Sequence, residues 1–131
     1  MKRFSLLTIV LFLCAASFAQ TQSEKEIKGM LTYKWKPIHM EKDGQKMPAP
    51  AEAGDWFLDI KADGTFIMLD SDGLEKGKWS YDHKTKKIIA SNEIDPLDPW
   101  KFEVTKVSET ELVLKVTEEG MTMKMYMKRV N

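Results

Sequence analysis

The sequence predicts an all-β fold: an eight-stranded antiparallel up-and-down barrel with a short N-terminal helix, after a cleaved signal peptide. Three observations carry this reading. Apolar and polar residues alternate with period two along most of the chain beyond Tyr33. The alternating runs are separated by tight turns rich in Asp and Gly, and no crossover helix interrupts them, so neighbouring strands pair antiparallel. The stretch Trp56–Leu69 (WFLDIKADGTFIML) shows the pattern at its plainest, with two alternating runs around an Asp-Gly turn.

Residues 1–19 read as a signal peptide. Lys2 and Arg3 form a charged start, Leu6–Leu13 an apolar run too short for a mature membrane span, and Ser17-Phe18-Ala19 a small-residue cleavage site before Gln20. This predicts an exported protein, periplasmic or secreted, and makes residues 20–131 one domain. A lipid anchor at Cys14 is disfavoured, because Phe12 and Leu13 stand where small residues belong. Cleavage after Ala19 also removes the chain's one cysteine, so no disulfide holds the mature fold. Of the 20 basic and 20 acidic residues, Lys2 and Arg3 leave with the signal, which gives a slightly acidic mature chain. Nucleic acid and anionic membranes call for a basic excess and are not expected partners.

The elements follow in order. Ser23-Glu24-Lys25-Glu26 is a capping box that opens a short helix through about Leu31, with Ile27, Met30 and Leu31 on one side. A first strand over Tyr33–Glu41 ends at Asp43-Gly44. Gln45–Gly54 (QKMPAPAEAG) is expected to be a long loop, either a lid or merely mobile. In the next hairpin a three-residue loop Ala62-Asp63-Gly64, with Gly64 left-handed, faces Ile60 with Phe66 and Leu58 with Met68. A four-residue loop would put those residues on opposite faces. Asp70-Ser71-Asp72-Gly73 is a turn; it resembles the start of a calcium loop but has Tyr81 where the bidentate Glu belongs. Strands Leu74–Tyr81 and Lys86–Ser91 follow. Asn92–Pro99 is a loop whose acids Glu93, Asp95 and Asp98 have no basic or histidine neighbour. After the strand Trp100–Val107 comes the last hairpin, where a two-residue turn at Glu119-Gly120 pairs Val116 with Met123, Leu114 with Met125 and Leu112 with Met127. Its other face, with Val113, Lys115, Lys124 and Tyr126, is expected to be mostly wet. Trp56, Leu58, Phe66, Met68, Trp79, Tyr81, Phe102, Leu112, Leu114, Met123 and Met125 then point inward.

From Leu31 to Arg129 the chain resembles the lipocalin-like domains of exported bacterial proteins, which belong with the calycins. The resemblance rests on Trp35 in the first strand, the LDIKADGTF hairpin, Gly77-Lys78-Trp79, and SETELVL at Ser108–Leu114. Tyr33 stands where true lipocalins carry the glycine of Gly-x-Trp. The resemblance implies that the helix closes the barrel's base, and that Trp35 lies there under the guanidinium of Arg129.

Two functions follow. The first is a calyx for a small apolar or amphipathic molecule, contacted by Trp56, Leu58, Phe66, Met68, Trp79, Tyr81, Phe102, Leu114, Met123 and Met125. The alternative is a structural or interaction protein whose barrel is filled by the same residues, methionine being a good filler of irregular gaps. A thioether copper site at Met121, Met123, Met125 and Met127 is disfavoured, because an inward methionine row on a strand is more often core. His39 and His83 have no neighbour at ligand spacing. No Ser-His-Asp signature and no Gly-rich phosphate loop is present, so an enzyme is not expected, nor a metal or cofactor.

Overall fold

The computed structural model describes residues 23–130. The predicted signal peptide and Cys14 lie outside the described residues. Helix α1 (Glu24–Leu31) begins where Ser23 Oγ accepts from the Glu26 backbone N–H at 3.2 Å. It lays Ile27 and Leu31 against one end of the barrel, with Leu31 fully buried. No described helix is long and apolar enough to cross a membrane.

Nine strands follow: β1 (Lys34–Lys42), β2 (Gln45–Pro48), β3 (Phe57–Ile60), β4 (Thr65–Asp70), β5 (Gly73–Asp82), β6 (Lys87–Asn92), β7 (Trp100–Val107), β8 (Glu111–Glu118) and β9 (Met121–Arg129). β3 to β9 run as a meander, and β1 pairs with both β3 and β9. The wall is therefore a closed antiparallel barrel of eight strands, β1 and β3–β9. β2 is an arm that pairs with β1 alone.

This arm corrects the expectation of a long loop after Asp43-Gly44. Asp43 and Gly44 have φ of 48° and 84°, the left-handed pair that a tight hairpin turn needs. β2 then pairs Gln45–Pro48 with Lys42–His39, and a 3-10 helix (Ala51–Asp55) with buried Ala53 leads into β3. The Lys36 ammonium donates to the Gly54 carbonyl and ties this segment to β1. The closing seam is short: β1 meets β3 only through Lys34–Asp59 and Trp35–Leu58. Pro37, which has no N–H for a ladder, stands just above, and the β1–β9 register shifts between Pro37 and His39. Above that point β1 turns its edge to β2 instead of β3.

Both predicted hairpin registers are observed. Leu58 faces Met68 and Ile60 faces Phe66, with Gly64 at φ 89°. Val116, Leu114 and Leu112 face Met123, Met125 and Met127 across the Glu119-Gly120 turn. Lys115 does lie opposite Lys124, but Glu103 of β7 sits 3.9 Å from its ammonium and offsets the repulsion. Val113, expected on the wet face, is buried. Tyr126 and Lys106 flank it in register from either side, and long side chains in such positions can shield an apolar neighbour from water.

The core occupies the helix end. Trp35, Phe66, Leu31, Leu112 and Leu114 are its largest fully buried side chains, joined by Ile60, Tyr81 and Ile88. The Trp35 indole N–H donates to the Leu31 carbonyl at 3.0 Å and so pins the helix to the first strand. The guanidinium of Arg129 is placed differently from the expectation. It pairs with Trp35 in register, yet it lies over the Tyr33 ring, 3.5 Å from the centroid, and donates to the Glu109 carbonyl. Tyr33 in turn meets Trp35 edge-on. The aromatic ring that stands in the glycine's place is thus the surface that receives the cation.

Candidate functional site

The two ends of the barrel differ. At the helix end, Trp79 donates its indole N–H to the Lys61 carbonyl at 2.8 Å and braces the Ala62–Gly64 turn. The opposite end carries the Asp43-Gly44, Ser71-Asp72 and Glu119-Gly120 turns, the 93–99 loop and the 3-10 helix. There the interior is not filled. A cavity of about 290 Å³ opens among β1, β3, β4, β7, β8 and β9, lined by Pro37, Met40, Trp56, Phe57, Leu58, Met68, Leu69, Trp100, Phe102, Leu114, Met125 and Met127, with Asp70, Ser71 and Asp72 at its rim. A larger hollow of about 410 Å³ lies beside Ile38, Glu111, Lys128 and Val130. Ile38 and Val130 are exposed, so that hollow is a groove on the outer wall and not part of the interior.

Of the residues expected to contact a ligand, Trp56, Leu58, Met68, Phe102, Leu114 and Met125 line the cavity. Phe66, Trp79, Tyr81 and Met123 do not. Phe66 sits one pleat nearer the base than Met68 and packs edge-on against Trp100 from below. Tyr81 is buried near the helix end, and burial pushes its phenol up from the usual value. Trp79 is held by the turn it braces. Met123 pairs with Val116 one step beyond Met125, above the cavity. Pro37, Met40, Phe57, Leu69, Asp70, Ser71, Asp72, Trp100 and Met127 also line the cavity and were not expected as contacts. For Trp100 and Met127 the signal was there: Trp100 alternates with Phe102, and Met127 with Met125.

The rim is built by a two-residue turn between β4 and β5. Asp70 Oδ1 accepts from the Asp72 backbone N–H at 2.9 Å, a local bond that fixes the turn and holds both carboxylates at the mouth. Below it, Glu75 pairs with Met68 in register and so stands on the inner face. Its Oε2 is buried and has no hydrogen-bond partner. Burial, with Asp70 and Asp72 adding repulsion, raises the Glu75 carboxyl above its usual value. No group of three His, Cys, Asp or Glu side chains gathers closely enough to hold a metal ion among the described residues.

The raised carboxyl has a consequence for stability. An acid whose folded pKa lies above its unfolded value binds protons more tightly when folded, so its ionised form costs stability. That cost is absent below about pH 4.5, grows as pH rises through the raised pKa, and is complete above it. Glu75→Leu is expected to raise the urea midpoint at pH 7 by more than it does at pH 4. Equal gains at the two pH values would remove the ionised carboxylate as the cause.

No protein-family model and no curated protein matches this chain. Solved structures do share its fold. A lipocalin-like protein from Bacteroides uniformis superposes with a TM-score of 0.55 at 21% identity, covering 77% of this chain and 99% of that one. A DUF4847 family protein from Bacteroides vulgatus reaches 0.50 at 14% identity, covering 76% of this chain and 93% of that one. At such identities the likeness concerns the fold, which is lipocalin-like.

Proposed function

We propose that this protein is an exported binder of a small apolar or amphipathic molecule, held in the cavity at the open end of the barrel. The cavity itself carries the reading: about 290 Å³ of interior lined by aromatic, aliphatic and thioether side chains, with polar groups confined to one rim. Binding sites of this kind are concave, mostly apolar and largely formed before the ligand arrives. The volume is at the low end for such sites and fits a ligand of modest size. The reading is one of binding: the polar side chains of the lining, Asp70, Ser71 and Asp72, belong to one turn at the rim, and no histidine, lysine or cysteine among the described residues joins them there. Export rests on the signal-like sequence of residues 1–19. The lower half of the barrel, packed solid by Phe66, Tyr81, Ile88 and Leu112, favours the filled-barrel alternative for that half only.

Native mass spectrometry on the protein from the exported fraction tests both parts. The expected result is a chain that begins at Gln20 and a stoichiometric small molecule that leaves on organic extraction. A bare mass, with no uptake of a neutral apolar probe, would transfer the role to the outer wall and a protein partner. Met125→Trp, which adds volume where Met125 lines the cavity, is expected to weaken probe uptake at least about tenfold while the fold survives.

A further inference from the structure

We infer that the cavity selects amphipathic cations: an amine head held at the rim, with an apolar or aromatic tail inside. The inference rests on the binding reading above and names the ligand class of that site. Among the described residues, Asp70 and Asp72 are the only charged ones in the cavity lining, and both are negative. The pleat brings more acid to the same mouth. Asp70 continues the inner row of Phe66 and Met68, Glu75 lies on the inner face opposite Met68, and Glu118 continues the row of Leu114 and Val116. Against them the inner rows of the described residues carry one cation at the mouth, Lys42 beyond Met40; Lys42 and Glu118 are both exposed, and neither they nor Glu75 line the cavity.

Three further features fit an ammonium. Glu75 Oε2, on the strand position opposite Met68 of the lining, is a buried acceptor without a donor just behind the rim. Trp56 and Trp100 line the cavity, and an indole π system attracts a cation rather than an anion. The acids are spread along the rim and not gathered into a ligand shell, which suits an organic cation with several N–H donors better than a metal ion. A carboxylate-headed lipid meets the opposite situation, because its head would face Asp70 and Asp72 with no cation in the lining to receive it.

The test is a matched set of ligands, n-decylamine, n-decanol and n-decanoate, each titrated below its aggregation threshold and read by fluorescence of the tryptophans, two of which line the cavity. The expected order is amine, then alcohol, then carboxylate, with at least about tenfold between amine and carboxylate at low salt and a smaller gap at high salt. Asp70→Asn with Asp72→Asn keeps an acceptor at position 70 for the turn bond. It is expected to erase the amine preference, so that the ratio of amine to alcohol affinity falls to about one. Equal or tighter binding of decanoate by the wild type would overturn the cation inference and leave the binding reading standing. No binding of any of the three would overturn the binding reading itself. Should the double variant fail to fold, the wild-type order and its salt dependence decide.

Discussion

Gly77→Ala is expected to destabilise the fold by roughly 3 kcal/mol or more, the upper end for forcing atoms into a packed site. At Gly77 a Cβ would overlap the Ser91 carbonyl oxygen, approach the Ser91 carbonyl carbon to 2.8 Å and reach Phe66 Cε1 at 3.0 Å. The first two are backbone atoms, and they cannot step aside alone. They belong to the β5–β6 ladder, in which Lys78 pairs with Ser91 and Gly77 with Asn92. Phe66 cannot yield either, since it is almost fully buried and supports Trp100 beneath the cavity. The glycine is therefore required by close approach of the neighbouring strand and not by a turn. Gly29→Ala is the control. Nothing lies within 4 Å of a Cβ there, and the position is helical, so that change is expected to stabilise by about 0.5–1 kcal/mol. Urea midpoints of the two variants should move in opposite directions. A Gly77→Ala midpoint equal to wild type would mean that β5 and β6 are not so closely packed.

The hairpins were legible in the sequence because two independent signals agree in each. In Leu58–Met68 and Leu112–Met127 the period-two pattern sets the face, and a glycine with positive φ sets the loop length. β2 was hidden because the period-two signal fails there and leaves the turn signal alone. Gln45–Pro48 is too short to show a period, it is exposed throughout, and it ends in a proline that only an edge strand tolerates. Asp43-Gly44 was the one trace of it. The cavity was not legible for a different reason. Phe66 and Met68 occupy the same row of the same strand, yet one is packed and the other lines open space. What separates them is depth along the barrel, and alternation carries no information about depth. The acids of the rim suffered the same fate: Asp70 and Asp72 read as turn residues, which they are, and nothing local says that the turn overhangs an opening. At the base, register did place Arg129 opposite Trp35, but the reach of a long side chain, not its register, decides which ring the guanidinium covers.

Trp35→Ala is expected to cost about 3–5 kcal/mol, since it empties the largest fully buried side chain in the core and releases the helix from the first strand. Trp35→Phe should cost much less. It keeps most of the ring, and the Leu31 carbonyl that loses the indole donor still accepts from the Tyr33 backbone N–H at 2.8 Å. Arg129→Ala removes a cation–π contact of about 0.5–2 kcal/mol and is expected to fall near Trp35→Phe. Which ring carries that contact can be measured. A double-mutant cycle of Arg129→Ala with Tyr33→Leu should show coupling, and a cycle with Trp35→Phe should be close to additive. Coupling to Trp35 alone would put the guanidinium over the indole, as the resemblance to lipocalin-like domains implies. The base and the cavity lie at opposite ends of the barrel, with the Phe66 layer between them. Trp35→Phe and Arg129→Ala should therefore lower the urea midpoint and leave uptake of a neutral probe unchanged, whereas Met125→Trp should do the reverse. If a base variant that remains folded also lost probe uptake, the two ends would be coupled through the wall. The candidate for that coupling is β1, which carries Trp35 at the base and Pro37 and Met40 at the cavity on one continuous strand.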